Sequence, residues 1–329
     1  MKIFIIGSNS FMGSSLINYI YKNKYDLKLK GCSRSKENGH YFNLYKKNKK
    51  TNFKFYKIDL NKNVDYLIGI LKKFKPNIIF NFAAQSIVEY SWVEPTHWFQ
   101  TNLISNIKLL EYLKNTDFLD RYIYSSTPEV YGSTNKKIIE NEFYNPNTPY
   151  ATSKASIDML LKNYHENYKL PVVKTRVSNI FGPGQQIYKL IPKTIISILK
   201  KKKIPIHGSG LTKRSFIYND DVSSAMIKIL KKGILGETYH ITNEKMYSIN
   251  SVIKIICKSM NVEYEKNILY VKDRPGKDQI YDLSSNKLKN KLKWKHKFSL
   301  EKGILSTKEW IINNYKFLNN KKLFYIHKK

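Results

Sequence analysis

Arginine and acid are both scarce in this chain. Its 329 residues include five arginines (Arg34, Arg121, Arg176, Arg214 and Arg274) among 58 basic residues, against 25 acidic ones, a formal net charge of +33. Such a balance ordinarily points to nucleic acid or an anionic surface. The make-up of the charge argues otherwise, because arginine's planar fork is the preferred tool for phosphate and guanine, and here lysine carries nearly all the charge. Asn, Ile, Tyr and Phe accompany the lysines, as A/T-rich codons would produce. The excess therefore reads as drift on solvated faces, with no nucleic-acid partner expected, and each surviving arginine becomes a candidate for geometric work. Cysteine is scarcer still: Cys32 and Cys257 can build neither a disulfide framework nor a cysteine-based metal site. No apolar run reaches membrane-span length, and the start of the chain has no long apolar stretch followed by a small-residue cleavage site. A cytoplasmic protein that engages no membrane is expected. His97, His165, His207 and His240 show no metal-ligand spacing and read as structural or surface groups, so no metal is expected.

What is present is an alternation of two periodicities. Short apolar runs at residues 2–6, 27–32, 53–58, 77–82, 121–125 and 172–177 read as strands, the first buried on both faces. Helical spacing fills residues 11–21, 64–74 and 102–113 between them. Strands alternating with helices imply an α/β fold with a parallel, doubly wound sheet. A second, smaller lobe should follow, with a helix at 190–200 and turns at Gly182 and Gly208, interleaved with returns to the first. The expected division is a dinucleotide-binding domain over 1–178 with a return at about 212–243, and a second domain over most of 179–329. The runs at 45–52 and 200–203 read as solvated loops or helix ends, and the tail after Lys316 as peripheral.

The turn Gly7-Ser8-Asn9-Ser10-Phe11-Met12-Gly13 lies between the first strand and first helix. A glycine-rich turn there lets the backbone approach a pyrophosphate at the helix N-terminus; the alternative is a tight turn with no ligand. Serine replaces glycine at the middle position, Ser10. After the second strand the chain reads Ser33-Arg34-Ser35, with no carboxylate before Glu37. An acidic residue there would bind the ribose 2′-hydroxyl of NAD, whereas Arg34 with its serines suits a 2′-phosphate, so NADP is favoured and NAD is the alternative. Asp59-Leu60, ending the third strand, is placed to meet the adenine edge. Tyr150 and Lys154 share a helical face at i, i+4. A nearby ammonium stabilises phenolate and lowers a tyrosine from about 10 towards the operating pH, where it can take a proton from a sugar hydroxyl.

Several further segments occur in order: Asn81-Phe82-Ala83-Ala84-Gln85-Ser86, Thr101-Asn102, Ser126-Thr127-Pro128-Glu129-Val130-Tyr131-Gly132, Arg176 to Pro183, Lys189-Leu190-Ile191-Pro192, Arg214-Ser215-Phe216 and Asp273-Arg274-Pro275-Gly276. Together with the turn and the Tyr-Lys pair, they resemble the extended short-chain dehydrogenase/reductase family, and within it the nucleotide-sugar 4,6-dehydratases. The dTDP-glucose members give the nearest pattern, and the resemblance covers nearly the whole chain. It implies a Rossmann domain with an interleaved substrate domain and a homodimer paired through helices of the cofactor domain. It also implies a tightly bound nicotinamide cofactor, recycled between two hydride steps. By resemblance, Phe82, Ala83, Ala84 and Asn102 join the cofactor site with Gly7, Asn9, Ser10, Phe11, Met12, Gly13, Ser33, Arg34, Asp59, Leu60, Tyr150 and Lys154. The nucleotide-sugar substrate falls to Ser86, Thr127, Glu129, Asn179, Lys189, Leu190, Arg214 and Arg274. The implied chemistry has Tyr150 take the 4-hydroxyl proton with Lys154 and Thr127 in support, and Glu129 remove the C5 proton as water leaves C6.

Pro128 departs from this pattern. The dTDP-glucose members carry an aspartate there as the acid for the departing hydroxyl, and proline offers neither a side-chain proton nor a backbone N–H. GDP-mannose dehydratases resemble this chain in lacking that aspartate, which leaves Glu129 to serve both as base and, directly or through water, as proton donor. Epimerisation or decarboxylation from the same 4-keto intermediate is the alternative within the family. Outside it stand a basic nucleic-acid-binding protein on this fold and a nucleotide-binding member without turnover. Residues 185–190 are expected to meet the nucleotide base, and Tyr90 and Trp92 to line the sugar pocket.

Overall fold

In the computed structural model, which describes residues 1–48, 51–134, 136–273 and 280–327, the first apolar run forms strand β1 (Lys2–Ile6) at the middle of a sheet. Ile3 and Ile5 join the hydrophobic cluster on one face, and Phe4 and Ile6 join the cluster on the other. A strand buried on both sides needs no polar alternation, which is why this run is continuous. Around it lie β2 (Lys28–Ser33), β3 (Lys54–Lys57), β4 (Ile78–Asn81), β5 (Arg121–Ser126) and β6 (Val172–Val177), with β10 (Thr238–Ile241) added from later in the chain. The order is β10-β6-β5-β4-β1-β2-β3, and every pairing is parallel. The α/β, doubly wound expectation holds.

Helices cover both faces. On one lie α1 (Phe11–Lys22), α8 (Asn219–Lys232) and α11 (Asn286–Leu292); on the other α2 (Val64–Phe74), α5 (Ser105–Leu113) and α6 (Pro149–Tyr168). Two short helices, α3 (Val88–Ser91) and α4 (Pro95–Phe99), follow β4. A second cluster of elements comprises a three-stranded sheet of β7 (Asn179–Phe181), β9 (Lys213–Tyr218) and β11 (Met246–Ser248), and a parallel pair of β8 (Ile204–His207) and β12 (Ile268–Val271). Helices α7 (Leu190–Leu199), α9 (Ile249–Ser259), α10 (Tyr264–Asn267), α12 (Leu300–Asn313) and α13 (Tyr315–Leu318) surround them, with a core built on Ile191, Ile195, Ile253, Ile256, Ile304 and Ile311. Among the described residues no helix is long and apolar enough to cross a membrane.

Three expectations need correction. The helix anticipated over 102–113 begins at Ser105 and is preceded by a π turn, Gln100–Ile104. Asn102 in that turn gives its side chain to Gln85 and Ser153, and the wider turn presents those atoms inward. The run from residue 45 is not wholly solvated: Tyr45 is buried, packs edge-on to Phe53 and donates its hydroxyl to Glu37. The tail after Lys316 is not peripheral, because Tyr325 and His327 pack on Tyr90, Tyr188, His97 and Trp98.

Candidate active site

The turn after β1 is shaped by two close approaches. Gly7 has φ +83°, and a Cβ there would lie 2.6 Å from the Ala83 nitrogen; one on Gly13 would lie 2.4 Å from the Gly7 oxygen. Both positions therefore demand glycine. Ser10 does not, because its φ of −65° suits any residue and its Oγ caps α1 by accepting from Gly13 N at 3.1 Å. The serine that departs from the glycine spacing thus stabilises the helix start. The N–H groups of Phe11 and Met12, which no intrahelical carbonyl can satisfy, stand at this end of α1, and both residues border a cavity of about 460 Å³.

That cavity continues into a second of about 200 Å³, the two sharing Ser10, Phe82 and Ala84 as walls. Gly7, Asn9, Ser33, Arg34, Ser35, Asp59, Leu60, Ala83, Gln85 and Thr101 line the smaller one. Asn9 mainly holds its shape: its amide donates to the Lys36 carbonyl and its Oδ1 accepts from Asn38 N and Asn43 Nδ2. Glu37, the first carboxylate after β2, is engaged by Tyr45 and Lys46. Asn102 is fully buried, and Gln85 and Ser153 take up both its side-chain atoms, so it braces the wall without forming it.

The larger cavity gathers Ser86, Tyr150, Lys154, Asn179, Lys189, Leu190 and Arg214. Thr148 caps α6 by accepting from Ala151 N, and Pro149 fills the first helical position, so Tyr150 and Lys154 enter the site on the first turns of a rigid helix. Thr127 caps the short 3-10 helix Pro128–Tyr131 after β5. Pro128 sits where a helix needs no N–H, and Glu129 donates its own to Thr127 Oγ1 at 3.3 Å. The Tyr150 phenol is pushed well above its ordinary range by burial first and then by the charge of Glu129; a hydrogen bond with Thr127 opposes both. Thr127 is thus the hydrogen-bond partner of Tyr150 and Glu129 acts on it through charge, while neither Thr127 nor Glu129 is among the residues lining the larger cavity. Lys154 is engaged by other groups than Tyr150. Its Nζ donates to Tyr124 Oη at 2.6 Å and to the Ser125 carbonyl at 2.7 Å, and burial pulls it down to about 7, opposed by Asp158.

Behind this constellation runs a buried ion pair. Arg176 on β6 donates through Nε and Nη2 to Asp158 Oδ2, which also accepts from Ser126 Oγ at 2.7 Å, and both charged side chains are fully buried. Arg176 is structural. The Arg121 guanidinium donates to the Gly233 carbonyl, a bond that tethers the start of β5. Arg214 lines the cavity and stacks over Tyr281. Arg274 lies outside the described residues. Trp92 is exposed, and neither it nor Tyr90 lines either cavity. Ser178 Oγ and Gln185 Oε1, buried on the larger cavity's wall, have no hydrogen-bond partner among the described residues. Gln186 and Tyr188 line it too, in the segment expected to meet a base. Sequence reasoning missed Tyr124, whereas Ser178 lies in the segment 176–183 that carried the resemblance. Strand alternation offered a signal for Tyr124, since Tyr122, Tyr124 and Ser126 share a face of β5.

A donor set of helix N–H groups, a glycine turn that admits no Cβ and two orphaned polar atoms fits a dinucleotide lying along the trough with a second polar ligand beside it. Residues 4–307 match the family model described as GDP-mannose 4,6 dehydratase. The chain is similar to the trifunctional UDP-glucose 4,6-dehydratase/UDP-4-keto-6-deoxy-D-glucose 3,5-epimerase/UDP-4-keto-L-rhamnose-reductase of Arabidopsis thaliana, 35% identical over 95% of this chain and 47% of that protein. It thus spans about half the length of that relative. It is 30% identical to the dTDP-glucose 4,6-dehydratase of Salmonella typhimurium over 98% of this chain and 96% of that one. The dTDP-glucose 4,6-dehydratase DesIV of Streptomyces venezuelae, solved with NAD bound, superposes with a TM-score of 0.89 at 27% identity, covering 96% of this chain and 98% of that one.

Proposed function

The chain belongs to the GDP-mannose 4,6 dehydratase family of nicotinamide-dependent nucleotide-sugar enzymes, and from that premise we propose that it converts an NDP-hexose to an NDP-4-keto-6-deoxyhexose. The observation that carries this reading is the Tyr150 phenol on the wall of the cavity that also holds Arg214, with Thr127 hydrogen-bonded to it and the charge of Glu129 acting on it. A nicotinamide dinucleotide bound along the trough would supply the hydride acceptor for C4 and the hydride donor for C6, and its oxidised ring would carry a positive charge. Tyr150 takes the proton of the 4-hydroxyl as phenolate, a state that burial and Glu129 oppose and that the positive charge of an oxidised nicotinamide ring would favour, with Thr127 hydrogen-bonded to it and Lys154 one helical turn away. Oxidation at C4 acidifies the C5 proton, which Glu129 removes as the C6 hydroxyl leaves. With Pro128 unable to supply a proton, Glu129 delivers one to the departing oxygen, directly or through water, and takes up a solvent proton that it returns to C5 as hydride adds at C6.

In this reading residues 1–178, with the return at about 212–243, hold the cofactor, and most of 179–329 holds the nucleotide sugar. Phe11 and Met12 N–H groups meet the pyrophosphate, and Asp59 and Leu60 meet the adenine. Arg214 and Arg274 clamp the substrate diphosphate, with Lys189, Leu190 and Asn179 beside them. Ser178 and Gln185 supply polar contacts to the substrate. Arg34 with Ser33 favours the 2′-phosphate of NADP, a preference read from this chain, since the DesIV structure carries NAD; comparing dissociation constants for the two reduced cofactors decides it. A homodimer would pair helices of the cofactor domain, where Ile104, in the π turn, and Met159, on α6, are exposed. Incubation with dTDP-, UDP-, GDP- and CDP-glucose, followed by NMR, tests the activity: one donor gives a C6 methyl product. A 4-epimer without a methyl signal would favour the epimerase alternative that Pro128 keeps open.

A further inference from the structure

The last described stretch of the chain behaves unlike a loose tail. Leu323, Tyr325 and His327 turn inward while Phe324 and Ile326 are exposed, the period of an extended strand. Leu323 packs against the core of the second cluster of elements. Tyr325 then lies edge-on to two rings, 5.5 Å from Tyr188 on the wall of the larger cavity and 5.1 Å from Tyr90 on α3. His327 stacks on Trp98 and Tyr90, and its Nε2 is 2.9 Å from His97 Nδ1. The other nitrogen of His97 meets Gln85, which lines the smaller cavity. Arg34, on that same wall, acts electrostatically on both Tyr325 and His97. The segment therefore runs from one lobe to the other beside both halves of the trough.

We propose that Leu323–His327 is a strap belonging to the dinucleotide site, anchored by Leu323 in the substrate lobe and by His327 on His97, which retains the cofactor between turnovers. The proposal rests on the reading above that a dinucleotide occupies the trough. Retention is what the chemistry requires, because the cofactor is regenerated within each cycle and its loss after the first hydride step would strand the intermediate. The histidine pair also makes the strap sensitive to acid. One ring must be neutral to accept from the other. His97 is held below its ordinary range by burial, His327 and Arg34, against the opposing charges of Asp59 and Glu94. Protonating both rings removes the bond and sets two positive charges beside Arg34.

The test uses the full chain and its Tyr325→Ala and His327→Ala variants. Each is loaded with NADH or NADPH, and release is followed by fluorescence in stopped flow against excess oxidised cofactor. Release at least about tenfold faster in both variants, equivalent to about 1.4 kcal/mol, supports the strap. So does release that quickens below the imidazole range in the parent and loses that acceleration in His327→Ala. Equal release rates in all three proteins would overturn the strap while leaving the dinucleotide reading intact. Failure of the parent to bind either cofactor would overturn both.

Discussion

Tyr150 and Lys154 stand one helical turn apart, yet different neighbours govern their protons. Burial and Glu129 hold the proton on the Tyr150 phenol, while burial pulls Lys154 down to about 7. The i, i+4 spacing revealed the pair but not that Tyr124 and the Ser125 carbonyl would take the ammonium, because a contact from another strand has no local signature. Lys154 gives a pH prediction whose sign is fixed. Its pKa is about 7 folded against an ordinary 10.5, so between these values the unfolded chain binds the extra proton and stability rises with pH. Below about 7 the penalty for burying the charge is complete. The parent should therefore gain stability relative to Lys154→Met as pH rises through this window, measured by urea unfolding; a constant difference would refute the assignment. Glu129 gives a second. Glu129→Gln should lower 4-keto-6-deoxy product formation about 100-fold or more while substrate still reduces the bound cofactor, seen as absorbance of the reduced nicotinamide. Full dehydration by this variant would remove Glu129 from the elimination.

Helix α6 is where residues become machinery. Tyr150, Lys154 and Asp158 follow at intervals of four, and the third anchors the first two by tying the helix to Ser126 on β5 and Arg176 on β6. An apolar replacement of both charges would lose little, but removing one leaves the other buried and unpaired. Asp158→Ala should cost about 3–5 kcal/mol in urea unfolding, far more than an exposed pair such as Lys266 with Glu263. A loss under about 1 kcal/mol would mean that water reaches Arg176. At this scale the sequence was most legible. Residues 64–74 and 172–177 form the anticipated helix and strand without a shift, since hydrophobic period is a local property. The start of α5 was not legible: Asn102 has helical neighbours, and only its partners Gln85 and Ser153, brought by folding, favour the π turn.

Across the whole molecule the charge and the tail were the hardest to read. The net +33 has few internal partners, and most ion pairs among the described residues involve exposed or half-exposed lysine. Self-repulsion of that size is screened by salt. Raising ionic strength from low to physiological should therefore raise the melting temperature; a fall would mean that the surface pairs outweigh the repulsion. The tail hid its role because aromatic Phe324, Tyr325 and His327 sit in a lysine-rich context, and only the folded chain shows which alternate side chains face Tyr90 and His97. Arginine scarcity proved a guide to geometric work of two kinds: Arg34 and Arg214 stand on the cavity walls, and Arg176 forms the buried pair with Asp158. The central claim, that one site removes hydride from C4 and returns it to C6, has a direct isotopic test. An NDP-hexose deuterated at C4, chosen from the donor that reacts, is converted and the product examined by NMR. The account predicts deuterium in the C6 methyl group; deuterium retained at C4 of a sugar without a methyl, or a methyl product carrying no deuterium, would contradict it.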